Sequence, residues 1–419
     1  MRRYLLIITI VMGIVSCEKE PFKIKDAGTL PIIKLSIDEK YLWSPDSGMY
    51  IVGENDIENP NYKHKWEFSA QIKFKENGEI QFSDTVGLRI KGNCSRGHSM
   101  KSFGVYWRKK YGKKKLQYPL FPNISTTTFK RIFLRNSGND FGETHIKDAS
   151  IMEIFKDYAN VDFQAYRPCV LYLNKEYWGI YNMREMITPH HFKYHYNVDD
   201  DAVNLLEGSE RNPSIDDGSK DSYMRDVVDF LTKKELSDNN NYKAFSEVID
   251  IDSYIDYIII NTYLYKTDWP CGNAKWWNDP TSVNHKKWKW VVYDSDWTMK
   301  NIKNVDKLWL GDFYGESYNT SYNDGFFIFN HLVKNKNFRQ KFLNRYLFFI
   351  ETVFEKNRVR NIIIANRDQI ASEYNNHKSK WNTISKTKWE KVIENMIEFN
   401  NKRNDKIKGI IQKLIHENK

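Results

Sequence analysis

TDWPCGN at residues 267–273 and WKWVVYDSDW at residues 288–297 are the two stretches that decide the fold. They carry four polar side chains among aromatic and β-branched neighbours: Asp268, Asn273, Asp294 and Asp296. Carboxylate and amide oxygens are ligands that Mg²⁺ accepts in proteins. An aspartate five residues before an asparagine also has the spacing of the base and the metal ligand in a protein-kinase catalytic loop. This pattern predicts a phosphoryl-transfer enzyme.

Each stretch suggests separate roles. Residues 251–265 are strongly apolar and predict a buried helix that holds the following loop, so Asp268 is the candidate catalytic base and Asn273 a candidate metal ligand. The second stretch predicts a strand in which Asp294 and Asp296 point to the same side. Because adjacent carboxylates repel each other unless a cation lies between them, we expect both to be metal ligands. The alternative is an exposed turn with solvated acids.

Positive charge suited to phosphate groups lies upstream. Lys91, Arg96 and Lys101 flank a predicted turn at residues 92–93. A turn of this kind can present backbone N–H groups to phosphate oxygens, although an ordinary hairpin is the alternative. Glu185, at the end of another predicted strand, is a candidate ion-pair partner for Lys101.

The N-terminus predicts export and lipidation. Residues 1–17 combine two arginines, an apolar stretch too short to span a bilayer, and a small-residue ending at Cys17. We expect a lipid on Cys17 that attaches the protein to a membrane without crossing it. A plain signal peptide with an incidental cysteine is the alternative. Residues 18–31 predict a polar tether, and the charged residues after Cys17 suggest a cell-envelope location at the outer membrane.

The length of the chain indicates how many lobes it can form, and its charge indicates which partners it favours. A chain of 419 residues is long enough for two or more lobes, and its formal net charge of +10 favours anionic partners such as phosphates or lipid head groups. The dense basic group at 109–115 predicts a solvated turn, and we expect no nucleic acid as a partner. An oxidising compartment permits one disulfide, but the sequence leaves the pairing open among Cys94, Cys169 and Cys271.

The hydrophobic pattern predicts an α+β protein. Short alternating segments at 32–85 indicate a small β-rich N-terminal region. Further strands are predicted at 86–92, 101–107, 130–135 and 169–183, with a helix near 146–158. After a strand at 288–293 the chain is predicted to be helical to its end. We therefore expect one domain over 86–350 and C-terminal helices over 351–419 that pack on it.

Taken in order, these motifs resemble those of the CotH kinase family, atypical kinases named after spore coat protein H. Lys91 stands where the family commonly has arginine. The resemblance covers about residues 86–350 and rests on GLRIKGNCSR at 87–96 with Lys101, LRN at 134–136 with Asp140, Lys147 with Asp148, LNKEYWGIY at 173–181 with Glu185, and the two opening stretches.

The resemblance implies a divergent, two-lobed protein-kinase-like fold that transfers the γ-phosphoryl group of ATP to serine or threonine with Mg²⁺ or Mn²⁺. It assigns Asp268 as the catalytic aspartate and Asn273 and Asp294 as metal ligands, assisted by Asp296. For the nucleotide it implies a set made of Lys101 on the phosphates, Glu185 in support, Trp288 stacked on adenine, and Arg96.

Two functions compete. The first is a membrane-anchored atypical protein kinase acting on an unidentified cell-envelope protein. The second is a non-catalytic surface lipoprotein that binds a glycan or a protein partner through the same fold and its aromatic side chains. Asp268, Asn273 and Asp294 together favour the kinase, because a binding module needs no base and no metal ligands. A metal-dependent phosphoesterase needs more clustered ligands, and the adjacent His190 and His191 are expected to be solvated.

Overall fold

The computed structural model describes residues 30–54, 58–300, 303, 305–308 and 324–417. The predicted signal peptide, Cys17 and nearly all of the predicted tether lie outside the described residues. Within the described part of the chain, no helix has both the length and the apolar character needed to cross a membrane.

The N-terminal lobe is a closed barrel in the order β1-β2-β3-β4-β7-β10-β9. Strand β1 closes it by pairing antiparallel with β2 and parallel with β9. The predicted boundary between residues 85 and 86 falls inside β3, and both sides of it contribute to this barrel. The strands are β1 (Ile32–Ser36), β2 (Phe68–Glu76), β3 (Glu79–Lys91), β4 (Ser102–Tyr106), β7 (Arg131–Arg135), β9 (Tyr166–Leu173) and β10 (Glu176–Arg184). A separate ladder joins β5 (Leu116–Gln117) and β6 (Thr128–Phe129).

Side chains alternate along the barrel strands, so that every second one points into the barrel core and the others point outward. Leu88 and Ile90 of β3 lie in the barrel core, so Arg89 and Lys91 point outward. On β7, Ile132 and Leu134 likewise point inward. The outer surface of the barrel is therefore rich in cationic side chains.

The second lobe combines a five-stranded sheet, in the order β12-β11-β13-β14-β8, with most of the helices. Its strands are β8 (Asp162–Phe163), β11 (Asn204–Gly208), β12 (Pro213–Asp217), β13 (Lys275–Asn278) and β14 (Lys289–Val292). The helices of the whole chain include α1 (Lys40–Trp43), α2 (Lys147–Phe155), α3 (Pro189–Tyr196), α4 (Asp221–Tyr223), α5 (Phe230–Lys233), α6 (Asn239–Phe245), α7 (Ile251–Tyr263), α8 (Phe327–Leu332), α9 (Lys336–Phe348), α10 (Lys356–Ala371), α11 (Tyr374–Trp381) and α12 (Lys386–Glu417). The segments Met224–Asp229 and Phe349–Val353 are π-helical.

Helix α7 is the centre of the second core. Asp250 begins it by accepting a hydrogen bond from the Ser253 N–H at 2.9 Å, the usual way of satisfying a first-turn donor. Nearly all its side chains are buried, so the loop that follows it starts from a fixed point. This agrees with the predicted buried helix at 251–265.

The C-terminal helices contact both lobes. Ile180 of the barrel donates its N–H to His377 Nδ1 of α11 at 3.1 Å, and the Trp381 indole donates to the Trp178 carbonyl at 2.8 Å. Trp389 of α12 donates to the Thr144 carbonyl at 2.8 Å. The predicted α+β class is confirmed, with strands concentrated in the first half of the chain and helices in the second.

Candidate active site

A cluster of carboxylates and buried cations lies between the barrel and the helical lobe. Arg135, at the end of β7, directs Nη2 at Asp294 Oδ1 in a short ion pair and at Asp296 Oδ2 at 2.6 Å. Asp296 is fully buried, whereas the Asp294 side chain keeps 30% of its surface exposed. Burial raises the pKa of Asp296 to about 6, Arg135 opposes the rise and Asp294 adds to it. The cation that lies between the two aspartates is thus the Arg135 guanidinium group, where the sequence predicted a metal ion.

Backbone conformation, rather than strand alternation, brings the two aspartates together. Strand β14 ends at Val292, and Asp294 adopts a left-handed conformation with φ of 51°. The prediction that both carboxylates point the same way agrees with the structure, but the predicted strand geometry at these residues is wrong. The chain turns because Asp294 leaves the extended region after the last paired residue.

A glycine makes room for the pair. Gly138 has φ of 59°, and a Cβ atom there would overlap both Asp296 Oδ2 and Arg135 Nη2. The next residue, Asn139, donates its N–H to Asp296 Oδ2 at 2.8 Å and its amide to Oδ1 at 3.2 Å. Only glycine combines this backbone conformation with such a close approach.

A second arginine extends the network into the helical lobe. Arg184, at the end of β10, directs Nη2 at Asp148 Oδ2 at 2.5 Å, and Asp148 Oδ1 accepts the Ser295 N–H at 2.8 Å. Burial alone would raise the pKa of Asp148, but Arg184 and Arg135 outweigh it and hold the pKa below its usual value. Helix α2 is therefore tied at its first turn to two barrel strands and to the loop that carries Asp294.

The loop after α7 contributes the third part of the site. Asn273 donates its amide to Asp268 Oδ2 at 2.5 Å, so the two residues of the predicted kinase-like spacing lie side by side. Asp268 is half-buried, and its Oδ1 has no hydrogen-bond partner among the described residues. Burial raises the pKa of Asp268, Lys266 opposes the rise, and Asp294 adds to it.

Lys266 joins this loop to the other. Its buried ammonium donates to the Tyr293 carbonyl at 2.7 Å and to the Asn273 carbonyl at 3.3 Å. Burial lowers the pKa of Lys266, while Asp268 and Asp294 act to raise it. A cation that faces both loops holds their carboxylates near each other against mutual repulsion.

The donor set fits a hard divalent cation. The side-chain oxygens of Asn273 and Asp294 are the ligand chemistry of Mg²⁺, and Asp268 beside them adds a carboxylate whose Oδ1 has no hydrogen-bond partner among the described residues. Asp296 fits less well, because its two oxygens already accept from Arg135 and Asn139.

The predicted nucleotide-binding residues do not join this cluster. The ammonium of Lys101 donates to the carbonyls of Arg96 and His98 at 2.7 and 3.0 Å and lies over the Tyr62 ring, and burial lowers its pKa to about 8. The guanidinium of Arg96 donates to the Gly92 and Lys63 carbonyls at 2.7 Å. Both cations therefore tie the loop after β3 together.

Two further assignments need correction. Glu185 does not pair with Lys101: its Oε1 lies 2.7 Å from His195 Nε2 and 3.4 Å from His191 Nδ1. Trp288 is 2% exposed in the core of the helical lobe, edge-on to Tyr223, so it presents no face on which adenine can stack. The aromatic pattern of its stretch reflects core packing.

A group of cationic side chains lies instead on the outer face of the barrel, where Arg108 pairs with Glu67. The guanidinium groups of Arg89, Arg108 and Arg131 lie 5.0–5.8 Å from the centre of the Tyr106 ring. The Nε atoms of Arg89 and Arg131 are buried and have no hydrogen-bond partner within the described chain. Burial together with Arg89 and Arg96 lowers the pKa of Lys91 to about 8. Such crowding costs free energy unless an anion neutralises it.

Several site residues escaped assignment from sequence. Arg135 and Asp148 occur within the matching motifs, but nothing in their spacing indicates that they contact the Asp294 loop. Arg184 sits at the end of a strand beside Glu185, and Lys266 two residues before Asp268. A basic residue next to an acidic motif was the available signal in both cases.

The protein is an α+β protein with a kinase-like fold. Its barrel and its helical lobe meet at a cluster of carboxylates and buried cations. The CotH kinase protein family matches residues 88–407, so the chain belongs to that family. Membership indicates atypical protein kinase activity and the use of ATP with a divalent metal ion. The match extends beyond residue 350 and includes most of the C-terminal helices. Comparison with curated proteins gives no match.

The cysteines do not contribute to the site through a disulfide, since none joins Cys94, Cys169 and Cys271 in the described part of the protein. Cys169 is buried in the barrel, and burial raises its pKa. Cys94 is exposed.

Proposed function

We propose that the protein transfers the γ-phosphoryl group of ATP to serine or threonine of a cell-envelope protein, in a Mg²⁺- or Mn²⁺-dependent reaction. The observation that carries the proposal is the half-buried Asp268, whose Oδ1 has no partner within the described residues while Oδ2 accepts from Asn273. A carboxylate held in this way is suited to orient an attacking hydroxyl group.

Each residue of the cluster then has a role. Asp268 accepts the hydrogen bond of the acceptor hydroxyl, and Asn273 and Asp294 would hold the metal ion. A divalent ion in this position supplies charge neutralisation for the phosphates. Arg135 and Lys266 balance the carboxylates and fix the two loops, which preorganises the site before substrate binds.

The phosphates have a second set of partners on the barrel. Arg135, which contacts Asp294, and Arg131 are four residues apart on the same face of β7. Arg131 therefore lies on the same side of the sheet as the carboxylate cluster, about 13 Å along the strand from Arg135. Arg89 and Lys91 lie on the same outer face, two strands away. We therefore assign the nucleotide to this face, with Arg89, Lys91 and Arg131 on the polyphosphate in place of Lys101.

The test is incubation of the purified protein with labelled ATP, Mg²⁺ or Mn²⁺, and an acceptor such as a general Ser/Thr substrate protein. Asp268→Asn and Asp294→Asn should each lose label transfer by at least about 100-fold. Asp157→Asn, a change at an exposed aspartate, is the matched control and should keep the activity. Absence of ATP binding in the parent would overturn the proposal and favour the non-catalytic binding lipoprotein.

The location is a separate proposal. We infer that Cys17 carries a lipid that anchors the protein in the cell envelope, at the outer membrane, because it ends a short apolar segment that follows a basic start. Cys17→Ser should move the protein from the membrane fraction to the soluble fraction and abolish labelling by a fatty-acid probe. Unchanged membrane association without label would overturn the lipid assignment.

A further inference from the structure

A second group of ligand atoms, which shares no residue with the carboxylate cluster, lies where β10 meets α3. Glu185 follows β10, and His191 and His195 are one turn apart on α3, so both rings project from one side of the helix. One oxygen of Glu185 and one nitrogen of each histidine lie within 4.8 Å of one another.

The three atoms are close enough to share one ion. Glu185 Oε1 lies 2.7 Å from His195 Nε2 and 3.4 Å from His191 Nδ1, and the two imidazole rings are 4.2 Å apart at their centres. Ligands at about 2.0–2.1 Å from a tetrahedral ion are separated by roughly 3.3 Å. A shift of about half an ångström at His195 reaches that geometry.

One ligand atom faces the carboxylate without a well-formed hydrogen bond. His191 is buried, and its Nδ1 has no hydrogen bond among the described residues although it faces the Glu185 carboxylate. The other carboxylate oxygen of Glu185 accepts the Ala165 N–H at 3.1 Å, which fixes the orientation of the carboxylate. A buried nitrogen without a hydrogen bond is unfavourable, and a cation placed between this nitrogen and the fixed carboxylate oxygen would bind to both.

Space for a further ligand is present. A cavity of about 20 Å³ borders Glu185 and His191, enough for about one water molecule. Two histidines, one carboxylate and a water form a four-coordinate set of the type that binds zinc. Imidazole nitrogens favour zinc over magnesium, so this site and the Asp268 site select different metals.

We propose that Glu185, His191 and His195 bind one Zn²⁺ ion, with a water as the fourth ligand, and that the ion fastens α3 to the end of β10. The arrangement does not depend on phosphoryl transfer. The ion would link α3 to the barrel next to Arg184, which contacts Asp148.

The test measures metal binding by the purified full chain after chelator treatment. Added Zn²⁺ should bind with a stoichiometry of one and raise the melting temperature, and Co²⁺ should give the intense visible absorption of a four-coordinate site. His195→Gln and His191→Gln should weaken Zn²⁺ binding by more than about 100-fold, beyond the effect of losing a second-shell group. His190→Gln is the matched control, because His190 bonds to Asp200 and not to the cluster, and should bind normally.

A readout on the parent keeps the proposal testable if a variant does not fold. Zn²⁺ should shift the NMR signals of the His191 and His195 rings and leave those of His190 in place. No binding tighter than about 10 µM, or equal binding by the parent and a folded His195→Gln, would overturn the proposal and leave the cluster as a hydrogen-bonded ion pair.

Discussion

Replacing Arg135 with methionine should destabilise the protein, and the loss should grow as the pH rises. Arg135 contacts both Asp294 and Asp296, and methionine keeps an apolar stem while removing the charge. Asp294 is partly exposed and can be hydrated, whereas Asp296 is fully buried. The penalty therefore falls mainly on Asp296, because a buried charge left without its partner is costly.

The magnitude follows from proton linkage. In the parent protein the pKa of Asp296 is about 6, so its carboxyl is ionised above that pH. Without Arg135 this pKa rises further, and the folded variant keeps a proton that the unfolded chain has released. A folded-state pKa above the unfolded value means that stability is lost as pH increases. Above about pH 6 the free energy of unfolding of the variant falls relative to the parent by up to about 1.4 kcal/mol per pH unit, or by about 2 kcal/mol between about pH 6 and about pH 8 when Asp296 keeps its proton throughout.

Urea unfolding of parent and variant, followed by tryptophan fluorescence at about pH 6 and about pH 8, measures this difference. Arg135→Lys, which keeps a positive charge, is the control and should show a smaller pH dependence. Adding Asp296→Asn to Arg135→Met should remove the pH-dependent part of the loss. If the variant is destabilised equally at both pH values, the loss does not come from a proton held by Asp296.

Three further predictions concern the loop after α7, the proposed base Asp268 and the core. Lys266→Met should lower label transfer by about 10–100-fold, because the two loops lose their shared cation; a rate equal to that of the parent in a folded variant would contradict this role. Label transfer should increase with pH across the acidic range with an inflection above the ordinary aspartate pKa, since Asp268 has a raised pKa and acts ionised; a pH–rate profile that is flat in this range counts against Asp268 as the base. Trp288→Ala should cost about 3–5 kcal/mol of unfolding free energy, whereas Trp288→Phe should leave the calorimetric affinity for ATP unchanged; a large loss of affinity in the phenylalanine variant would restore the stacking role.

Sequence reasoning succeeded where a short segment acts through its own residues. The spacing of Asp268 and Asn273 indicated a pair, and the structure places their side chains in contact. The apolar run before them indicated a buried helix, and α7 is buried on nearly every side. Both inferences depend on neighbours within one loop or one helix, where periodicity carries the information.

It failed where the packing of separate elements decides which of several possible partners a side chain meets. Glu185 was expected to pair with Lys101, but its side chain meets two histidines one helical turn apart on α3. His191 was expected to be solvated and is buried. The spacing of His191 and His195 was visible in the sequence, yet only the placement of α3 against β10 makes these residues neighbours of Glu185.

The sequence by itself determined the α+β class, the order of the motifs, and the carboxylate and amide residues of the candidate site. Those properties follow from local spacing and hydrophobic pattern, which act over a few residues. The tertiary structure alone decided that Arg135 lies between Asp294 and Asp296, that Trp288 is part of the core, and that Arg89 and Arg131 lie against the same Tyr106 ring on the outer face of the barrel. The reason is physical: closing the barrel and packing it on the helical lobe joins residues more than a hundred positions apart, and the resulting burial makes their charges interact strongly.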